Sequence, residues 1–153
     1  MMSWMPCSGR ETFDELVWLP RMLQKARRRE ESRAAGCDLM NGYMFGDNDF
    51  VDHRVLRFLR IDDMAFLKLV QEYPRDEDVA RIVIERSERT AGECSSFSRR
   101  LCRMLANFAL LEADEGRTAP GLKRNIIRFF YNRMMMPIAY LGFRRSERRR
   151  EAL

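Results

Sequence analysis

Phe97, Leu101, Met104, Leu105, Phe108 and Leu111 recur at intervals of three and four within the stretch Ser96 to Glu115. Six apolar side chains so spaced share one face of an α-helix and cannot share one face of a strand, whose period is two. This stretch is expected to be the central core helix, ended by Gly116. Nowhere do apolar and polar residues alternate long enough to require a sheet. The expected fold class is therefore all-α, a compact multi-helix domain with a basic C-terminal helical extension. A chain of 153 residues supports one modest core, burying roughly two thirds of its unfolded surface.

The remaining elements follow from their end signals. Thr12 to Glu15 has the T-x-x-E form of a capping box, which predicts a short first helix. Pro20 lacks a backbone donor and disfavours a helical Leu19, so a helix restarts near Pro20 and stops at Gly36. Gly36, Gly42 and Gly46, set among Asn and Asp, mark an irregular loop. Beyond it, Val51, Val55 and Phe58 share a helical face, Asp62 caps "MAFLKLVQEY" and Asp76 caps "EDVARIVIERSER". A last helix is expected from about Leu122 to Met136, kinked or restarted at Pro137.

Charge is divided unevenly. Residues 1 to 116 hold 18 Lys/Arg against 21 Asp/Glu, whereas residues 117 to 153 hold 10 against 2. The excess of cations thus lies wholly in the tail, a pattern that points to nucleic acid or another polyanion as a partner. No basic stretch followed by an apolar run opens the chain, so a cytoplasmic protein is expected. Cys7, Cys37, Cys94 and Cys102 form no C-x-x-C pair, and His53 is the one histidine, so no metal site and no cofactor are expected. The cysteines are expected to serve as small apolar residues.

Two stretches, "SGRETFDELVWLPRMLQKAR" and "LLEADEGR", carry a resemblance. The first has Ser8 to Glu11, Leu19 to Arg21 and Lys25 to Arg27 in the opening pattern of a bacterial family, the domain of unknown function 5069. The second, with Asp114, Glu115, Gly116 and Arg117, resembles that family's acidic E-G-R ending. "FLRIDDMAFLKLV" is similar in layout to its middle helices. The chain departs from the family in having "MFGDND" where a Cys-Pro pair is usual. The resemblance implies a helical domain over residues 1–117, with residues 118–153 as an addition, and implies no activity.

Several residues are candidates for a site. Arg21, Lys25 and Arg28 fall on one side of the helix begun at Pro20 and could cradle an anion. The spacing favours a solvated face instead, with ion pairs such as Arg27 to Glu31. Glu112 lies in helical phase with Leu101, Leu105 and Phe108, with Glu115 just beyond. A carboxylate over an apolar face can gain a raised pKa, but a structural clamp onto Arg10 or Arg21 is the favoured reading. Arg10, Arg21, Lys25, Glu112 and Glu115 together form the candidate small-molecule pocket. His53 beside Asp52 suggests acid–base chemistry, yet His53 projects opposite Val55 and Phe58 and reads as a surface residue. No nucleophile elbow, Walker A or dinucleotide-binding spacing occurs, so no catalytic residue is assigned and an enzyme is disfavoured.

The C-terminal segment "NIIRFFYNRMMMPIAYLGFRRSERRR" is apolar around most of a helix but interrupted by Arg124, Arg128 and Arg133, too charged for a transmembrane span. It is expected to complete the core or to form a homodimer interface through Ile126 to Phe143. Arg124, Arg128, Arg144, Arg145, Arg148 and Arg149 are the candidate polyanion-binding residues. The function expected is a non-enzymatic binding or assembly module. Two alternatives stand beside it: a homodimeric structural protein, and a small-molecule-binding protein or enzyme.

Overall fold

The computed structural model describes residues 4–104, 111–112 and 115–117. The chain divides into two compact units, residues 1–105 and 106–153. The first unit is mainly α. A two-stranded hairpin, β1 (Thr12–Phe13) and β2 (Leu16–Val17), leads into α1 (Leu19–Ala35). An irregular loop with one 3-10 turn, Gly46–Asn48, precedes α2 (Phe50–Phe58), α3 (Asp63–Glu72), α4 (Asp76–Ser87) and α5 (Ala91–Met104).

The hairpin replaces the short helix expected at Thr12. Thr12 pairs with Val17 and Phe13 with Leu16, and the two-residue turn Asp14–Glu15 takes left-handed backbone at both positions, φ 43° and 66°. Such a turn matches the right-handed twist of the strands it joins. Burial decides against the local capping signal. Leu16 is fully buried, and the Ser98 hydroxyl of α5 donates to Glu15 O (2.7 Å) and accepts from Val17 N (3.0 Å). A capping box is formed instead at Thr90, whose hydroxyl accepts from Glu93 N while the Glu93 carboxylate accepts from Thr90 N. The Thr90 amide, and after it the Arg89 guanidinium and the Thr90 hydroxyl, donate to the Glu93 carboxylate and hold it below its ordinary pKa.

Other helix ends follow the sequence more closely. Pro20 sits in the first turn of α1, where a missing donor costs no intrahelical bond. Gly36 ends the helix with φ 64°, and Cys37 N reaches back to Ser32 O, the six-to-one bond of a Schellman ending. Asp62 caps α3 through Ala65 N at 2.7 Å. Asp76 does not cap α4; it is the first helical residue after Arg75, among three acidic residues that suit the positive end of the helix dipole.

The core is built around α1, which packs on α3 and α4. Leu19, Met22, Leu23 and Ala26 of α1 are fully buried, with Val55 of α2, Phe66 of α3, Val79 of α4 and Cys94 of α5. Each such Leu contributes roughly 1.5–3 kcal/mol over an exposed one. α5 takes part in the core as far as it is described, Leu105 and Phe108 of the expected face lying outside the described residues. It begins at Ala91, five residues earlier than the periodicity suggests, buries Leu101 and stacks Phe97 on Phe58 with ring centroids 4.1 Å apart. Cys94 behaves as a small apolar residue, and burial pushes its thiol pKa up. Cys37 departs from that expectation and is exposed.

In the second unit, Glu115 N donates to Leu111 O (2.9 Å) and Arg117 N to Glu112 O (2.7 Å). Gly116, at φ 68°, supplies the left-handed residue expected at that helix end.

Candidate functional site

Arg21 and Lys25 do not lie on a solvated face. Each is 1% exposed, placing them among the largest fully buried side chains of the described residues. The stripe's early residues face inward because α1 is enclosed on several sides at its N-terminal half, and there the long side chains find partners rather than water. Trp18, held at φ 73° just before α1, has its ring close to both. The Arg21 guanidinium carbon is 5.1 Å from the Trp18 ring and 5.3 Å from the Tyr43 ring, and Lys25 Nζ is 5.4 Å from Trp18. Arg21 Nη1 also donates to Cys7 O at 2.7 Å, tying the N-terminal segment to α1.

Lys25 organises a buried polar cluster. Its ammonium donates to Asp52 Oδ1 (2.7 Å) and to Asp49 Oδ2 (2.8 Å). Asp52, with no exposed surface, accepts in addition from Trp18 Nε1 at Oδ1 (2.7 Å) and from Gly46 N at Oδ2 (3.1 Å). Asp49 is also the cap of α2, its Oδ1 accepting from Val51 N and Asp52 N. One cation therefore serves two carboxylates. Burial raises the Asp52 pKa to about 6 from an ordinary 3.8, the Lys25 charge opposing that rise and the Asp49 charge adding to it.

Each described site residue expected from sequence is placed within its own unit. Arg21 and Lys25 come together around Trp18. Arg10 lies exposed on the Ser8–Glu11 turn, where its backbone N donates to Ser8 Oγ. Glu112 and Glu115 belong to the second unit, where Arg117 Nε donates to Glu115 at 2.9 Å. Arg124, Arg128, Arg144, Arg145, Arg148, Arg149 and the Ile126 to Phe143 surface lie outside the described residues. His53 is on the surface as expected, its Nδ1 2.9 Å from Asp47 Oδ1 rather than paired with Asp52. Among the described residues no cluster of His, Cys, Asp or Glu is arranged to hold a metal ion. No described helix is long and apolar enough to cross a membrane.

The rest of the stripe also has structural work. Arg27 does not pair with Glu31. Its Nη1 and Nη2 donate to Val70 O and Tyr73 O, carbonyls at the end of α3, while Nε meets Asp76 at the start of α4. One guanidinium thus bridges a negative helix end and an acidic first turn. Arg28 takes Leu39 O and Glu31.

The sequence profile of the domain of unknown function DUF5069 matches residues 4–117. The chain belongs to the DUF5069 family. In this DUF5069 protein the residues of the opening pattern hold the fold together: Ser8 and Gly9 supply acceptors for Glu11 N and Trp18 N, Arg21 and Lys25 clasp Trp18, and Arg27 joins α3 to α4. No curated protein and no solved structure matches the chain.

Asp49 and Trp18 were not among the candidates drawn from sequence, and Asp52 entered only as the neighbour of His53. The signal was present for Asp52, which precedes Val55, Leu56 and Leu59 by three, four and seven residues and so shares the apolar face of its helix. The same reasoning that singles out Glu112 applies to it with equal force.

Proposed function

We propose that this DUF5069 protein is a non-enzymatic binding or assembly module whose basic C-terminal segment contacts a polyanion such as nucleic acid. The observation that carries the reading is the charge division, 18 cations against 21 anions through residue 116 and 10 against 2 beyond it. The engagement of Lys25 inside the first unit supports it, because its charge is already matched by Asp49 and Asp52. Arg144, Arg145, Arg148 and Arg149 stand close in sequence, and Tyr131, Phe129 and Phe130 offer stacking surfaces for unpaired bases.

The test is fluorescence anisotropy with a labelled single-stranded RNA of mixed sequence, titrated at several salt concentrations. The full chain is expected to lose affinity steeply with salt, with a log–log slope of about −0.7 per neutralised phosphate. Deleting residues 144–153 is expected to weaken binding at least tenfold and flatten that slope. Binding indifferent to both deletion and salt overturns the reading.

A second reading is favoured by one specific pattern. Ile126, Ile127, Phe129, Phe130, Tyr131 and Met134 to Met136 make an apolar girdle wider than one core contact needs. It supports homodimerisation through Ile126 to Phe143. Sedimentation of a monomer at high micromolar concentration excludes it.

A further inference from the structure

The cluster of Lys25, Asp49 and Asp52 holds two carboxylates and one ammonium, an arrangement one proton short of neutrality in a place where Asp52 has no contact with water. The two oxygens of Asp52 are not equivalent. Oδ1 accepts a charged donor, Lys25, and the Trp18 indole, both at 2.7 Å, whereas Oδ2 accepts the Gly46 amide alone, at 3.1 Å. A proton entering from water attaches where it displaces least, so the new O–H bond forms at Oδ2 and Oδ1 keeps both of its donors. The Gly46 N–H then faces a hydroxyl in place of a carboxylate oxygen, and Lys25 remains neutralised by Asp49.

Gly46 opens the 3-10 turn that carries the preceding loop onto α2. It is held at φ 74°, so close to α3 that a Cβ there would stand 2.8 Å from Asp63 Cβ. We propose that the Lys25–Asp49–Asp52 cluster is a proton-operated latch, in which uptake of one proton at Asp52 Oδ2 releases the Gly46 amide and loosens the Gly46–Asn48 turn from α2.

The charged groups around the latch are few and each is identifiable. Lys25 of α1 meets Asp52 and the α2 cap Asp49, and Arg21 is close to the same Trp18 ring. On the turn side stand Asp63 of α3 and the Asp47–His53 pair, whose contribution must be separated from that of Asp52.

The experiment is amide exchange and chemical shift by NMR on the full chain between pH 7.5 and 5, together with the side-chain carboxyl carbon of Asp52. The Gly46 protection factor is expected to fall at least tenfold with a midpoint near that of the Asp52 carboxyl, while the Trp18 indole N–H stays protected. In Asp52→Asn, Gly46 is expected to be poorly protected at every pH. In His53→Gln the wild-type titration persists. Should Asp52→Asn fail to fold, the wild-type carboxyl titration and the His53→Gln spectra still decide. A Gly46 protection factor constant across the range, or a titration that vanishes in His53→Gln, overturns the proposal.

Discussion

Between Leu19 and Ala26, helix α1 carries two cations, Arg21 and Lys25, both buried; between Arg27 and Ala35 it carries four more, none of them buried. Sequence alone gives the two halves the same basic look. What differs is what waits around them. The first half is met by Trp18, Tyr43, Asp49 and Asp52, so each charge leaves water for fixed partners. The second half runs out past α3 and α4 toward Gly36, where Arg33 is 77% exposed and its distance to Glu30 is 3.9 Å. A buried pair owes its importance to the loss incurred when one partner is removed, and an exposed pair owes very little to either.

The sharpest way to break this comparison is Lys25→Ala. It strands Asp52 in a waterless site next to Asp49, and a loss of about 3–5 kcal/mol is expected in chemical denaturation. A loss below about 1 kcal/mol, the range of exposed pairs, would mean that the two halves of α1 are equivalent after all.

Next in size is the pH dependence of stability. Because burial raises the folded-state pKa of Asp52 to about 6 from 3.8, the native protein holds that proton more tightly than the unfolded chain does. Its contribution to stability is thus fully present below pH 3.8 and is lost as pH rises through about 6. Relative to Asp52→Asn, the wild type is expected to lose on the order of 3 kcal/mol between those limits. Denaturant midpoints of the two proteins that run parallel with pH would contradict it. The proton that frees one local bond at Gly46 thereby favours the native state as a whole, because it relieves the cost of a buried negative charge.

Much of the helical layout was legible in the sequence because helix ends are marked by local chemistry: Pro20, Gly36, Asp62 and Gly116 act within a turn or so of themselves. The hairpin was not, since its two-residue strands are too short to show period two and its turn uses Asp14 and Glu15 rather than glycine. The T-x-x-E signal at Thr12 lost to the burial of Leu16 and Val17, while the same signal at Thr90 was realised with no tertiary competitor. The polar cluster was half legible. Arg21 and Lys25 were singled out together but read as a solvated face, because a helical wheel cannot tell which side of a basic stripe will be covered by elements that arrive later in the chain. Lys25 is 27 residues from Asp52 and Arg27 is 49 from Asp76, separations at which spacing rules carry no information.

Arg27 lies at the junction of the two halves and ranks third. It is 27% exposed in its side chain, pairs with Asp76 and closes two carbonyls at the end of α3. Arg27→Ala is expected to cost about 1–2 kcal/mol, more than a surface pair and less than Lys25, because partial solvation replaces some of what is lost. Arg27→Lys is expected to recover little of it, since an ammonium cannot span three acceptors in the plane of a guanidinium. Full recovery by lysine would mean that charge alone, not geometry, joins α3 to α4.

Arg33 supplies the smallest effect and the strictest control. It occupies the last turn of α1, where a cation suits the negative end of the helix dipole, but its side chain stands largely in water and its acidic neighbour is at the limit of ion-pair distance. Screening by water and salt leaves such an interaction little to contribute. Arg33→Ala is expected to change stability by less than about 0.5 kcal/mol, with alanine's helix propensity offsetting the lost charge. If its denaturation midpoint moved as far as that of Arg27→Ala, the division of α1 into a charge-burying half and a solvated half would be drawn in the wrong place, and the boundary would have to pass beyond Arg33 rather than at Arg27.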